Sequence, residues 1–241
     1  SGTNLFGWGA NEINGVPQVY GDRVLSFFKD EPVSGAFLSG FIFLIFGNLL
    51  SKNYNKFIPI IFLIVGFTAI LITGERSNTL KILTGIFIYL FFVDTINIKI
   101  KILFFFLLLS IFFLIINQSE YLKVRYQNKI IDNKNYRVET CKSSNRSNNF
   151  YKCTTHPHQI YIEFLSEHGL IGTVILLSIF FYLIFRILRI ILKSKNYLQL
   201  GAFTYVLINF IPIIPSGSFF GDFNLTIFWI NFSIMFACNQ K

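Results

Sequence analysis

All three histidines of the chain, His156, His158 and His168, fall within CTTHPHQIYIEFLSEHGLIG, Cys153–Gly172, with Glu163 and Glu167 between them. Histidine is the side chain that changes charge near neutral pH without help from its surroundings. His156 precedes Pro157, which pushes it away from helical angles. Proline itself favours the first position of a helix. The spacing predicts a helix that starts at Pro157 and carries His158 in its first turn. The positive end of the helix dipole disfavours imidazolium there. A neutral imidazole accepts a proton, so His158 is a candidate general base. The plainer alternative is a histidine that only caps or solvates a helix end. In such a helix Ile162 and Leu165 follow the face of His158. Gln159, Glu163 and Glu167 share another, so Glu163 is not its partner.

A second group could bind phosphate. Arg76 lies in TGERSNTL, Thr73–Leu80, between two apolar segments and close to the small residues Gly74 and Ser77. Its planar guanidinium matches phosphate oxygens two at a time. Otherwise it is an interfacial anchor that reaches head groups. Arg125 in EYLKVRYQ and Arg137 in NYRVETC are candidates for a second contact, or solvated loop charges. Glu31 in FKDEPVSG and Asp222 in SGSFFGDFN are carboxylates beside apolar segments. Each is a candidate acceptor-side residue or an ordinary cap or turn. Cys141 and Cys153 share one hydrophilic loop, where a disulfide is expected in an oxidising compartment. Closing so short a loop is worth about 3 kcal/mol in the chain-entropy model. Zinc held by Cys141, Cys153, His156 and His158 would match no standard spacing, so no metal is expected. No Gly-rich phosphate loop or Asp-rich motif appears, so no nucleotide or other cofactor is expected either.

These groups hang on a greasy chain. Its 241 residues are 53% hydrophobic and 14% charged, and 31 of them are Phe. Mean hydropathy is +0.57. Globular domains carry about 25% charged residues, so the composition is that of an integral membrane protein. The formal charge of +9 suits an anionic partner. Lipid head groups or lipid phosphates fit such a chain better than nucleic acid. A spanning helix needs about 20 mostly apolar residues. Seven segments are expected to span: about 35–50, 57–73, 80–94, 99–117, 170–192, 199–215 and 221–238. The expected fold is therefore all-α, a polytopic helical bundle. Residues 118–157 would form a long loop inserted between spans, and 158–169 a short helix leading into the next. The chain starts at Ser1 and its one Met is Met235, which reads as residues 1–241 of a longer protein, its C-terminal membrane domain.

Lys and Arg collect on the cytoplasmic side of short loops. Arg186, Arg189, Lys193 and Lys195 place that segment inside, and alternation adds Lys52, Lys56, Lys99 and Lys101. Residues 1–34, the loop GERSNTLK at 74–81, the long loop and PSGSFFGDFN at 215–224 then lie outside. Arg76, Arg125 and His158 would face one compartment. The long loop is basic as well, against the usual charge bias.

Taken together, these stretches resemble the O-antigen ligase and O-antigen polymerase superfamily. CTTHPHQIYIEFLSEHGLIG resembles its His-Pro-His-Asn…Glu-x-Gly-Leu-x-Gly signature, with Gln159 where Asn is usual. TGERSNTL resembles its Gly-x-Arg-Ser turn, FFKDEPVSGAFLSGF its Gly-Asp-Glu…Gly-x-x-Leu stretch, and IPSGSFFGDFNLTIFWI its Pro-x-Gly-Ser-Phe-Phe…Trp segment. The resemblance covers nearly all of the chain. Lys129–Arg137 is shorter than the corresponding part of that family. The resemblance implies a bacterial inner-membrane enzyme working on the periplasmic face, similar to glycosyltransferases with polyprenyl-linked donors. It implies transfer of a glycan from undecaprenyl pyrophosphate to a sugar hydroxyl, on lipid A–core or on a growing glycan. Arg76 would hold the pyrophosphate, with Arg125 or Arg137 as the second cation, and His158 would activate the acceptor. The alternative function is a transporter or flippase for a lipid-linked glycan.

Overall fold

A computed structural model describes residues 34–52, 57–118, 122, 126, 159–212, 214 and 219–237, together with the backbone of the two-residue strands β1, Glu12–Ile13, and β2, Val16–Pro17. The strands pair antiparallel. All other regular structure described is helical. Seven helices follow one another in the order of the seven apolar segments: α1 Ser34–Ser51, α2 Phe57–Ile72, α3 Arg76–Phe92, α4 Ile98–Gln118, α5 Ile160–Ser194, α6 Tyr197–Asn209 and α7 Asp222–Ala237. Three of them, α1, α4 and α5, are long and apolar enough to cross a membrane. The apolar helices α2 and α7 are shorter.

Three boundaries differ from the sequence expectation, each for a local reason. Arg76 is the first residue of α3 rather than part of a loop reaching residue 81. Gly74, at φ 72°, ends the preceding turn, so α3 starts as soon as Glu75 is passed. Helix α5 starts at Ile160 rather than Pro157, after an extended Gln159 at φ −145° and ψ 118°. The Gln159 side chain donates to the carbonyl of Pro212, a tether that competes with helical winding. Helix α6 stops at Asn209 instead of running to residue 215, because Pro212 disfavours helical angles before it and supplies no N–H.

Helix α6 is the centre of the bundle and packs against α1, α3, α5 and α7. Nine of its 13 residues are buried. It approaches α1 backbone to backbone, and only glycine fits at that contact. A Cβ on Gly201 would stand 2.2 Å from the Phe43 carbonyl, and one on Gly47 would stand 2.2 Å from the Tyr197 carbonyl. Small residues permit this kind of approach between apolar helices. The two contacts also set the direction: Phe43 meets Gly201 and Gly47 meets Tyr197, so α1 and α6 are antiparallel. Lys81 of α3 meets Asn209, and Tyr89 of α3 meets Tyr197, so α3 is antiparallel to α6 too. Gln199 donates to the Met235 carbonyl of α7, again head to tail. The bundle therefore has a first end, where α1, α3, α5 and α7 begin, and a second end, where they finish. At the second end Lys195 pairs with Asp94 at 3.7 Å, and Lys101 donates to the Val93 carbonyl.

Within α5 the backbone breaks at Gly169, φ 65° and ψ 179°. That conformation is essentially reserved for glycine. It divides a short leading piece, Ile160–His168, from the long apolar rod that follows.

Candidate functional site

The first end gathers the chemistry. Arg76 opens α3 there and is half-buried. Before it, Glu75 is buried and accepts the backbone N–H of Gly35 at 2.8 Å and the side-chain amide of Asn78. Gly35 lies in the first turn of α1, whose leading N–H groups lack helical partners. A carboxylate aimed at them is the favourable charge at that end of a helix. Thr73 donates to the Ile70 carbonyl at 2.6 Å and accepts from the Glu75 N–H at 3.4 Å, which fixes the turn before Arg76.

One turn further along α3, the Thr79 hydroxyl meets the Tyr126 hydroxyl at 2.8 Å. Tyr126 is buried, and its ring packs edge-on against Phe112 of α4. The chain just beyond α4 is thereby held against α3. Arg125 is the sequence neighbour of Tyr126 and lies outside the described residues, as do Glu31, Arg137, Cys141, Cys153, His156 and His158.

The start of α5 reaches across to the α6–α7 connection. Tyr161 donates to the Phe210 carbonyl, and Gln159 donates to the Pro212 carbonyl at 2.5 Å. Buried Glu163 accepts the N–H groups of Phe219 at 2.8 Å and Phe220 at 3.3 Å. Glu163 therefore faces inward, whereas Ile162 and Leu165 are exposed, as is Glu167. His168 is exposed and rests against the rings of Phe164 and Phe220. Asp222 is exposed in the first turn of α7, a position where the helix dipole favours a carboxylate.

Of the site residues expected from sequence, Arg76 and Asp222 are described, and both stand at the first end. Three polar groups there were not singled out as functional. Glu75 and Glu163 act as acceptors for backbone amides far away in sequence. Lys81 is buried between α3 and α6, where its ammonium donates to Asn209 Oδ1 at 2.9 Å. Asn209 in turn donates to the Tyr205 carbonyl at 2.9 Å. A lysine at the edge of an apolar segment was the one visible signal.

No family model, no curated protein and no solved structure matches this chain.

Proposed function

We propose that this chain is a membrane-embedded transferase that moves a glycan from undecaprenyl pyrophosphate to a sugar hydroxyl, without metal or nucleotide. The observation that supports the reading is that three chain segments lie at the same end of the bundle. Arg76 opens α3, Tyr126 is held against Thr79 beside it, and Gln159, which precedes the start of α5, follows His158 in sequence. In this reading the first end faces the periplasm of a bacterial inner membrane, and all seven helices belong to the membrane domain. Arg76, with Arg125 or Arg137, stabilises the charge that grows on the leaving pyrophosphate. His158 takes the proton of the attacking hydroxyl, the C–O bond to the acceptor forms, and the sugar–phosphate bond breaks. The acceptor is lipid A–core or the next repeat unit. Glu31 and Asp222 are assigned to its side of the site. The basic loop 118–157 attracts the anionic donor, which accounts for positive charge outside.

The test uses the intact protein in its host. His158→Ala and Arg76→Ala are expected to abolish the glycan ladder while the protein stays in the membrane. Normal ladders from both variants would end the proposal. Glycolipids of a deletion strain separate the two chemistries. Single repeats on lipid A–core indicate a polymerase, and long polymer left on the carrier lipid indicates a ligase. Buried Lys81 with Asn209 is the observation that favours transport instead, since ionisable groups inside a bundle often mark a path. Uptake of a lipid-linked glycan by vesicles, with no transferred product, would select that reading.

A further inference from the structure

The rod of α5 carries two opposite stripes. Phe180, Ile184, Ile187 and Ile191 are buried in the bundle. At about 100° per residue, Ile171, Ile175, Tyr182, Arg186, Arg189 and Lys193 fall within about 60° of one another on the far side of the helix. All six are exposed. The outer stripe is therefore apolar from the Gly169 break to Tyr182, and cationic from Arg186 to the second end. Residues three and four apart on one face have Cβ atoms about 5–6 Å apart, so Arg189 is flanked by Arg186 and Lys193. Like charges at that spacing repel. Among the described residues no carboxylate pairs with any of the three. Asp94, the one carboxylate described at the second end, is with Lys195. Across a bilayer the apolar stretch 170–185 would cover about 24 Å of a hydrocarbon layer of about 30 Å. Arg186 then stands at the edge of that layer, with its head group drawn to the lipid phosphates.

We infer that the Arg186–Arg189–Lys193 stripe binds an anionic phospholipid in the leaflet at the second end. The lipid phosphate sits on the guanidiniums of Arg186 and Arg189, which match phosphate oxygens two at a time. An acyl chain lies along Tyr182, Ile175 and Ile171. Charge complementarity selects this occupant, because a zwitterionic head group brings no net charge to offset three cations. The inference rests on α5 crossing a membrane and not on glycan transfer.

The test measures lipid bound to the purified full chain in detergent by native mass spectrometry, with phosphatidylglycerol against phosphatidylcholine. The parent is expected to bind phosphatidylglycerol at least tenfold more tightly. Arg186→Gln with Arg189→Gln should erase that preference. Lys52→Gln with Lys99→Gln removes the same charge from exposed positions at the end of α1 and the start of α4, and should keep it. No preference in the parent, equal loss in the two double variants, or an unchanged preference in the arginine double would overturn the inference. So would displacement of the lipid by inorganic phosphate, which marks a site for soluble anions. A changed oligomeric state in the arginine double, with lipid binding intact, would assign the stripe to a second copy of the chain instead. A parent protein that does not float with liposomes would remove the membrane crossing and the lipid site together.

Discussion

The Glu163 carboxylate accepts the backbone N–H of Phe219 at 2.8 Å, across 56 positions of sequence. The start of α5 is thus tied to the approach to α7. Glu163→Ala would leave the Phe219 and Phe220 amides without an acceptor and is expected to cost about 2–3 kcal/mol. Glu163→Gln keeps one acceptor oxygen and should lose roughly half as much. Denaturant unfolding in detergent, followed by tryptophan fluorescence, measures both. Equal stability of all three proteins would refute the tether.

Gly35 and Glu75 form the matching contact at the start of α1. A Cβ at residue 35 would lie 2.8 Å from Glu75 Oε2. Gly35→Ala is therefore expected to destabilise by about 1–3 kcal/mol. Shortening the acid with Glu75→Asp should recover part of that loss in the double variant, a coupling read from the four-protein cycle. Additive losses would mean that the two residues do not meet.

The break in α5 requires positive φ at residue 169. Gly169→Ala is expected to cost about 1–3 kcal/mol, or to straighten the helix and release the contacts of its leading turn. Under the proposed function the same change lowers glycan product. A variant that matches the parent in unfolding midpoint and in product would argue against a bend there.

Under the proposed function the loop 118–157 faces the periplasm, and Cys141 and Cys153 are expected to be joined there. Maleimide–polyethylene glycol added to cells should shift the protein only after reduction, and Cys141→Ser should leave Cys153 open to the reagent without it. Labelling of both thiols in unreduced cells would exclude the bridge.

The helices were legible because their apolar runs are long and their ends carry polar or glycine residues. The short helix expected to end at residue 169 was legible for the same reason, and the backbone breaks at Gly169. What the sequence hid is pairing over distance. The contacts of Lys81 with Asn209, Glu75 with Gly35, and Glu163 with Phe219 join residues 128, 40 and 56 positions apart. No local pattern says which amide a glutamate will find. The start of α5 was misplaced for a related reason. Proline preference is a local rule, and the tethers of Gln159 and Tyr161 to the end of α6 are not.

Helix α6 has 13 residues and so is about 20 Å long, against about 30 Å for a bilayer's hydrocarbon layer. Within a membrane its hydrophobic mismatch would be about 10 Å, and the shortfall would fall on the backbone after Asn209. Unwound backbone at that depth needs protein partners in place of water. The leading turn of α5 supplies them: a donor for Phe210, a donor for Pro212, and an acceptor for Phe219 and Phe220.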